Sequence, residues 1–322
     1  MRLTSVIASM LVATAVGAAD RQPTYPLRPI RVIVPQGPGS TTDLLGRIVF
    51  TRMSDRLGKQ LVVDNRPGAG GTLGMDLASH AAPDGYTIAG VAASMLTIGP
   101  HIYRKLPYDP LRDFVPIGLF VTAQTALCVN ANLPARSVRE FVDLAKSRPA
   151  QLNMSSAGVG STSHLGGIMF ATLAGITPNH VPYKGGGPSV AAVAQGEAQW
   201  TVPPLSAAMP QVRAGRMRCL ATGGDRRSPV TPELPTIAES GVAGFRYYGW
   251  NGVIAPRGTP RPVITHLNRV MGEVLTSAEV KKLYFELGEE PVHGSPEDFG
   301  KLIREDYERM GKLVKVAGIK PE

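Results

Sequence analysis

The chain has 322 residues, of which 18% are charged and 43% are hydrophobic, and its formal net charge is +9. These proportions are those of a globular protein and exclude a disordered chain. A basic surface suits anionic partners of several kinds, so charge alone does not select one. The sequence has no dense run of Lys and Arg, which argues against nucleic-acid binding, and pairs such as Arg226-Arg227 are expected on a solvated surface.

The first 19 residues have the pattern of a secretory signal peptide. Arg2 provides a positive charge, an apolar stretch follows, and the stretch ends in the small residues Ala18-Ala19. No later segment has the roughly 20 continuous apolar residues of a membrane helix. We therefore expect residues 1–19 to be removed, and the rest, with a formal charge of +8 without Arg2, to be an exported soluble protein. A retained N-terminal anchor is the alternative.

Strand-like and helix-like segments alternate along the chain, which is typical of an α/β protein. The first series has predicted strands at 30–34, 61–63 and 86–91 and helices at 44–57 and 73–80. The second has strands at 126–129, 152–154, 180–182, 199–202 and 217–221 and a helix at 137–147. The last third has a strand at 252–255 and helices at 262–276 and 296–316. Since about 300 residues exceed what one hydrophobic core usually organises, the pattern predicts two lobes with parallel strands.

The chain has two cysteines, Cys128 and Cys219, and both lie in short apolar segments that are predicted to be buried strands. An exported protein can join them in a disulfide, but buried free cysteines are common and the sequence does not give the distance between the two. We favour two unpaired thiols, with the disulfide as the alternative.

Three turns rich in glycine and hydroxyl side chains follow predicted strands and precede predicted helices. They span residues 37–43, 155–164 and 184–188, the last with Pro188 suited to the first position of its helix. Glycine lets the backbone approach a ligand, hydroxyls donate hydrogen bonds, and the free N–H groups at a helix start attract an anion. Ligands of open α/β sheets bind beyond the carboxyl ends of the strands, where these turns lie. The turns therefore predict a carboxylate that is bound by both lobes. The alternative reading makes four hydroxyl residues ordinary helix caps, namely Thr41, Thr42, Ser161 and Ser163.

Other patterns are weak indications of chemistry. The glycine cluster at 68–74 has the wrong spacing for a dinucleotide fingerprint, and the sequence has no Gly-x-Ser-x-Gly elbow. His164 lies at a predicted helix start, where we interpret it as a ligand donor or a cap. The alternative is a secreted hydrolase in which Ser161 or Ser163 acts with His164. The histidines lack metal-ligand spacing, so we expect no metal. The weak glycine fingerprint and the missing elbow lead us to expect no cofactor and no catalytic residue.

Several segments together resemble the Bug-type solute-binding receptors of tripartite tricarboxylate transport systems. The segments that carry the resemblance are 25–35 (YPLRPIRVIVP), 64–71 (DNRPGAGG), 82–87 (APDGYT), 106–110 (LPYDP), 160–165 (GSTSHL), 180–185 (HVPYKG) and 317–320 (AGIK). They are spread over essentially the whole mature chain, so the resemblance concerns the complete fold.

The resemblance implies a two-lobed periplasmic binding protein fold, type II-like, that closes over a ligand in the cleft between the lobes. It places the first part of lobe 1 at 20–124, lobe 2 at 125–244 and the returning part of lobe 1 at 245–322. It further implies a periplasmic receptor that binds a small carboxylic acid and passes it to membrane transporter subunits or reports it to a sensor protein. The sequence does not separate transport from sensing.

The resemblance also indicates which residues line the ligand site. These are Gln36, Ser40, Thr41, Thr42, Asp43, Ser94, Ser155, Ser156, Ser161, Thr162, His164, Tyr183, Lys184 and Gly185. Asn65, Gly70 and Trp250 are weaker candidates in lobe 1. Because its carboxylate would repel an anionic ligand, Asp43 is expected to accept backbone N–H groups and hold the loop shape.

Two differences from the family pattern bear on the ligand. Ser40 stands where many relatives have glycine, which adds a hydroxyl to the first loop. Amino-acid-binding relatives tend to carry an acidic residue after the strand that corresponds to 199–202, whereas here Pro203-Pro204 follows. Without that partner a buried ammonium group would be uncompensated, so we expect a ligand without a free amino group.

Overall fold

Two five-stranded sheets organise the chain. The computed structural model describes residues 25–316, 318, 319 and 321, so the predicted signal peptide lies outside the described residues. The first sheet contains β1 (Ile30–Val34), β2 (Leu61–Asn65), β3 (Thr87–Ala92), β4 (Phe114–Gln124) and β10 (Tyr248–Pro256). The second contains β5 (Ala126–Asn130), β6 (Asn153–Ser156), β7 (Asn179–Pro182), β8 (Trp200–Thr201) and β9 (Met217–Thr222).

Helices accompany both sheets. With the first sheet are α1 (Thr41–Leu57), α2 (Thr72–Ser79), α3 (Ala93–Thr97), α4 (Gly99–Ile102), α9 (Arg261–Leu275), α10 (Ala278–Glu286) and α11 (Pro296–Val316). With the second are α5 (Val138–Ser147), α6 (Thr162–Ala174), α7 (Gly186–Gln195) and α8 (Leu205–Arg213). None of the helices in the described part of the chain is long and apolar enough to span a membrane.

The two sheets define two lobes. In lobe 1 the strand order is β2-β1-β3-β10-β4, and in lobe 2 it is β7-β6-β8-β5-β9. The chain leaves lobe 1 after β4, forms the second sheet, and returns in β10, which pairs antiparallel with both β3 and β4. The predicted α/β class and two-lobed fold are confirmed. The expectation of parallel strands is wrong in part. The two strands that follow the crossings between lobes, β5 and β10, pair antiparallel with their neighbours.

Most predicted strands and helices agree with the structure, but strand β4 and the helices α3, α4, α8 and α10 were not predicted. Pro116 and Gly118 interrupt the apolar run of β4, and both residue types weaken a strand pattern. The strand accommodates Pro116 because β4 lies at the edge of its sheet. Helix α7 begins at Gly186, so Pro188 lies in its first turn rather than at its first position.

Apolar side chains fill both lobes and also join them. In lobe 2 the rings of Phe170 and Trp200 pack edge to face, with centroids 5.7 Å apart. The same buried cluster includes Ile102 from α4 and Met310 and Val314 from α11, which belong to lobe 1. The lobes therefore meet through apolar packing as well as through the two chain crossings.

The structure joins Cys128 and Cys219 in a disulfide, so the expectation of two unpaired thiols is wrong. The antiparallel register of β5 and β9 places the two residues directly opposite each other, with their Cα atoms 3.9 Å apart. The bridge ties the edge strand β9 to its neighbour. The two strands lie 91 residues apart in sequence, so neither apolar run reveals the register that brings the cysteines together.

Glu289 is buried where the lobes meet, and neither of its carboxyl oxygens completes a hydrogen bond to a described residue. Its polar neighbours are Ser206 in the first turn of α8 and the backbone of Gln124 at the end of β4, which favour the charged form. Burial outweighs them and raises the pKa of Glu289 to about 8. The carboxyl group is therefore mainly protonated at neutral pH.

Removing the disulfide should destabilise the protein, because the bridge limits the conformations of a long unfolded loop. For the double variant Cys128→Ala/Cys219→Ala we expect the free energy of unfolding to fall by about 4 kcal/mol. Guanidinium unfolding followed by circular dichroism measures the change. Reduced wild-type protein is the control and should unfold like the variant; equal stability of the oxidised protein and the variant would contradict the prediction.

Replacing Glu289 with Gln should remove a pH dependence of stability. Because the folded pKa lies above the unfolded value of 4.5, the wild-type contribution is fully present below that value and is lost as the pH rises through about 8. Between about pH 6 and about pH 9 we expect the wild-type free energy of unfolding to fall by up to about 3 kcal/mol relative to Glu289→Gln. Urea unfolding of both proteins measures the difference, and parallel pH profiles would rule it out.

Candidate functional site

Two helices from different lobes begin against the same strand. At the start of α1, the Thr42 hydroxyl donates to Asn251 Oδ1 at 2.6 Å. At the start of α6, Thr162 Cγ2 lies 3.8 Å from the position that a Cβ on Gly249 would occupy. Residues 249 and 251 share one face of β10, about 7 Å apart along the strand. The first turns of α1 and α6, from different lobes, therefore lie over the same face of β10.

Asp43 holds the shape of the loop in lobe 1. Its Oδ2 accepts the Gly39 N–H at 3.0 Å. Its Oδ1 accepts from Arg47 Nε at 2.9 Å and from Asn65 Nδ2 at 3.0 Å. Asp43 is buried, so these three donors compensate a carboxylate that water does not reach. The contacts agree with the structural role expected for Asp43, and they show that Arg47, one turn later in α1, balances its charge.

The other lobe 1 candidates surround this network. Ser40 is the cap of α1, because its Oγ accepts the Asp43 N–H at 3.2 Å. Asn65 also donates to the Gln36 carbonyl at 3.0 Å, which fixes the loop to β2. The Gln36 Oε1 atom is buried without a hydrogen-bond partner among the described residues. Thr41 and Ser94 are half-buried, at the starts of α1 and α3.

The loop in lobe 2 repeats the same design. Ser161 caps α6, since its Oγ accepts the His164 N–H at 3.3 Å, and it donates to the Gly158 carbonyl at 2.7 Å. Ser163 accepts the Ala157 N–H at 2.9 Å. The capping alternative is thus correct for Ser161, whereas in lobe 1 the cap is Ser40 and not Thr41 or Thr42.

Ser155 and Ser156 lie beneath the cleft surface, fully buried. Ser155 Oγ donates to the Ser189 carbonyl at 2.9 Å, and Ser156 Oγ lies 2.7 Å from His180 Nε2. Their hydroxyls are engaged in holding α7 and β7 in place. They support the second loop.

The remaining candidates take different places. Tyr183 is half-buried, Lys184 is exposed, and Gly185 is the N-cap of α7 with φ +114°. Trp250 is buried on the other face of β10, where its Nε1 donates to Asp306 Oδ2 at 2.6 Å. Gly70 lies against Tyr103, whose hydroxyl is 2.5 Å from the position of an added Cβ.

Four backbone N–H groups at the two helix starts remain unpaired. The N–H groups of Thr41 and Thr42 in α1, and of Thr162 and Ser163 in α6, make no hydrogen bond to any described residue. A helix cannot satisfy its first N–H groups internally, and the helix dipole gives this end a partial positive charge. Unpaired N–H donors from both lobes therefore lie at helix starts, a position that favours anions.

His164 contributes to the site as a neutral side chain. The Gly160 N–H donates to His164 Nδ1 at 3.1 Å, so the ring proton is on Nε2. The ring stacks on His180 with centroids 4.2 Å apart. Burial and the neighbouring His180 lower the pKa of His164 to about 4. His164 shapes the loop and carries no positive charge at neutral pH.

The geometry does not favour a hydrolase. Among the described residues no serine hydroxyl is hydrogen-bonded to the imidazole ring of His164, and Ser161 and Ser163 are engaged by backbone groups. Ser156 Oγ and His180 Nε2 are at hydrogen-bond distance, but Ser156 is fully buried.

Asn251, Gly249 and Arg47 were not identified from the sequence. Arg47 has a local signal, because it lies one helical turn after Asp43. Thr42 and Asn251 are separated by 209 residues, and the strand pattern around Asn251 gives no indication of the partner.

Acid should destabilise the second loop through His164. Because its folded pKa of about 4 lies below the unfolded value of 6.5, the stabilisation is fully present above pH 6.5 and is lost as the pH falls toward 4. His164→Asn keeps an acceptor for the Gly160 N–H but does not titrate, so we expect it to reduce the wild-type loss of about 1–3 kcal/mol between about pH 7 and about pH 4.5. Urea unfolding measures the loss; the same loss in both proteins would argue against His164 as its source.

Comparisons with known proteins agree with this architecture. The family model for the tripartite tricarboxylate transporter family receptor, TctC, matches residues 45–319. Protein BugT of Bordetella pertussis is 33% identical over 320 residues, covering 99% of this chain and 98% of BugT. The solved structure of R. palustris Rpa4515 with adipate has a TM-score of 0.88 and 35% identity, covering 92% of this chain and 100% of that one. MatC from Rhodopseudomonas palustris with bound malate has a TM-score of 0.82 and 30% identity, covering 90% of this chain and 100% of that one.

The family match spans most of the chain, and the two solved neighbours share the two-lobed fold over nearly their whole length. The resemblance to Bug-type receptors is thereby confirmed. The chain belongs to the tripartite tricarboxylate transporter receptor family and is a Bug-type periplasmic solute-binding receptor.

Proposed function

We propose that this receptor captures a small carboxylic acid without a free amino group in the cleft between its lobes, and delivers it in the periplasm to a tripartite tricarboxylate-type transporter. The observation that carries the proposal is the convergence of two helix starts with unpaired N–H groups on one strand. Thr41 and Thr42 supply donors from lobe 1, and Thr162 and Ser163 supply them from lobe 2. Donors fixed in advance bind a carboxylate without reorganisation.

The spacing of the helix starts favours an acid with two carboxylates. Positions 249 and 251 of β10, against which the helices begin, are about 7 Å apart along the strand. One carboxylate can then be bound at each helix start, with the carbon chain between them along β10. Adipate and malate, the acids named with two solved neighbours, both carry two carboxylates and no amine.

The charges around the cleft support the exclusion of amino acids. The carboxylate of Asp43 is engaged by Arg47, Asn65 and Gly39, so it is not free to bind an ammonium group. Pro203 and Pro204 follow β8, where neither offers a carboxylate. An ammonium group desolvated in this cleft would lose its hydration without an ionic partner.

The proposed site thus has three kinds of residue. The unpaired N–H groups and Asn251 contact the ligand. A second set maintains the loops, namely Gln36, Ser40, Asp43, Ser155, Ser156, Ser161 and His164. Ser94, Tyr183, Lys184 and Gly185 form the outer walls. Since the serine hydroxyls nearest to His164 are engaged by the backbone, we infer a receptor without catalytic activity.

A thermal-shift screen tests the ligand class. Because a ligand that binds only the folded state raises the melting temperature, we expect adipate or malate to raise it and aspartate and glutamate to leave it unchanged. Tight binding of either amino acid would contradict the exclusion of amines. No response to any mono-, di- or tricarboxylate, measured on protein refolded to remove copurified ligand, would contradict the proposed function.

Deleting single N–H donors tests whether the unpaired helix starts bind the ligand. Proline at the first helical position removes an N–H group and keeps the helix, and Ser40 and Ser161 already have extended backbones with ψ of 158° and 162°. We expect Thr41→Pro and Thr162→Pro each to weaken binding of the acid identified in the screen about 10- to 100-fold, as a charge-assisted hydrogen bond is lost.

Calorimetric titration measures these affinities, and two controls make the result specific. Thr41→Ala and Thr162→Ala remove the side chains but keep the N–H groups. Ala278→Pro places proline at the first position of α10, an exposed site after the capping residue Ser277, and should leave the affinity unchanged. Equal affinities of the proline variants and wild type would show that the helix starts do not bind the ligand.

A further inference from the structure

The side chain of Asn251 has one amide end paired and the other without a partner among the described residues. The Thr42 hydroxyl donates to Asn251 Oδ1 at 2.6 Å, and Nδ2 makes no hydrogen bond to any described residue. Asn251 is 3% exposed, so bulk water hydrates little of it. An unpaired donor on a buried amide costs free energy, and such groups are uncommon in folded proteins. The unpaired Nδ2 therefore points to a partner outside the chain.

Strand β10 fixes the place of this amide. β10 pairs antiparallel with both neighbours, and Asn251 lies opposite Ala92 of β3 and Val121 of β4. Residues directly opposite each other share a face of the sheet. Val121 is fully buried and belongs to the same apolar cluster as Leu45 of α1. The Asn251 amide thus lies on the side of the sheet that α1 covers, where Thr42 is the described residue that hydrogen-bonds it.

Thr42 brings two donors to the same point. It is the second residue of α1, its backbone N–H is unpaired among the described residues, and its hydroxyl is the group that reaches Asn251. The residue is fully buried, and its hydroxyl makes no other hydrogen bond to the described part of the chain. Because the two donors belong to one residue, the amide of Asn251 lies beside the unpaired N–H groups of Thr41 and Thr42.

We propose that Thr42 is a positioning residue whose hydroxyl orients the Asn251 amide, so that Nδ2 donates to the ligand carboxylate at the start of α1. In the reverse orientation Oδ1 would face the carboxylate, and two acceptors repel each other. The inference rests on the proposed function and adds a side-chain donor to the backbone donors of Thr41 and Thr42. All three groups are donors, which suits a carboxylate because both of its oxygens accept hydrogen bonds.

A double-mutant cycle of Thr42→Val and Asn251→Ala separates positioning from direct contact. Calorimetric titration with adipate and with malate measures the affinities. We expect Thr42→Val to weaken binding about 3- to 10-fold, because the amide loses the hydrogen bond that orients it. Asn251→Ala should weaken binding about 10- to 100-fold, since a donor to a charged group is lost. In the Asn251→Ala background, Thr42→Val should cause no further loss, and Thr42→Ser should recover the affinity that Thr42→Val loses.

Two further variants make the result specific. Thr259→Val is the matched control, because Thr259 is a buried threonine of lobe 1 whose hydroxyl donates to the Pro256 carbonyl at 2.8 Å. Its affinity for both acids should equal that of wild type. Asn251→Asp keeps the shape of the side chain but replaces Nδ2 with a second oxygen. At pH 8 we expect it to bind at least about 10-fold more weakly than Asn251→Ala, because two carboxylates then face each other.

Magnetic resonance of the side-chain amide tests the orientation without ligand. In protein labelled with ¹⁵N at asparagine side chains, the Asn251 signals are those that disappear in Asn251→Ala. We expect one set of signals in ligand-free wild type and in Thr42→Ser, and a shifted or doubled set in Thr42→Val. Adding adipate or malate to wild type should move the Asn251 signals, because Nδ2 gains an acceptor. Thr42→Val leaves Asn251 in place and provides the test if the Asn251 variants do not fold.

Additive losses in the cycle would overturn the proposal, because Thr42 would then act on the ligand without Asn251. So would an Asn251→Asp variant with wild-type affinity, or ligand-free Asn251 signals that Thr42→Val leaves unchanged. Failure of wild type to bind any acid in the thermal-shift screen is a different result. It would contradict the proposed function, while the ligand-free signals would still show whether Thr42 orients the amide.

Discussion

A helix leaves its first N–H groups without internal partners, and the candidate site of this protein depends on that constraint. Both α1 and α6 begin with a serine cap that satisfies one later N–H group and leaves the first two free. Each helix follows a strand whose carboxyl end faces the cleft. Strand β10 then brings the two starts together, because Thr42 and Thr162 both lie against its first half.

The titratable groups near the two helix starts are either paired with an opposite charge, as Asp43 is, or have a lowered pKa, as His164 and His180 do. Asp43 would repel an anion if it were free, but Arg47, Asn65 and Gly39 engage both of its oxygens. His164 and His180 would repel each other if both were protonated, and burial lowers the pKa of each. In the proposed site, anion recognition depends on oriented N–H dipoles, which attract carboxylates without requiring a buried formal charge.

Features encoded by neighbouring residues could be predicted from the sequence, and those that depend on distant pairing could not. The glycine and hydroxyl turns before α1 and α6, and the loop-holding role of Asp43, follow from local backbone chemistry. The Cys128–Cys219 disulfide depends on the register of two strands, and the contact of Thr42 with Asn251 depends on where β10 enters its sheet. Neither is visible in a local pattern.

The orientation of individual side chains within a motif was also beyond the sequence. Ser155 and Ser156 belong to the same rich turn as Ser161, but they lie in β6, where the strand and α7 bury them. Composition therefore identified the turn, whereas tertiary packing determined which of its hydroxyls are buried beneath the loop. Glu289 is a related case, since nothing in its neighbours in sequence indicates a carboxyl group enclosed between two lobes.

The position of β10 has a consequence for the order in which the lobes are completed. All five strands of lobe 2 precede β10 in the chain, whereas the sheet of lobe 1 lacks an inner strand until residues 248–256 are available. A chain delivered from its N-terminus, as in synthesis or export, thus contains a complete second sheet while β3 and β4 still have unpaired edges. Such edges readily pair with other chains. Lobe 1, although it begins first, is the half that remains vulnerable to aggregation longest.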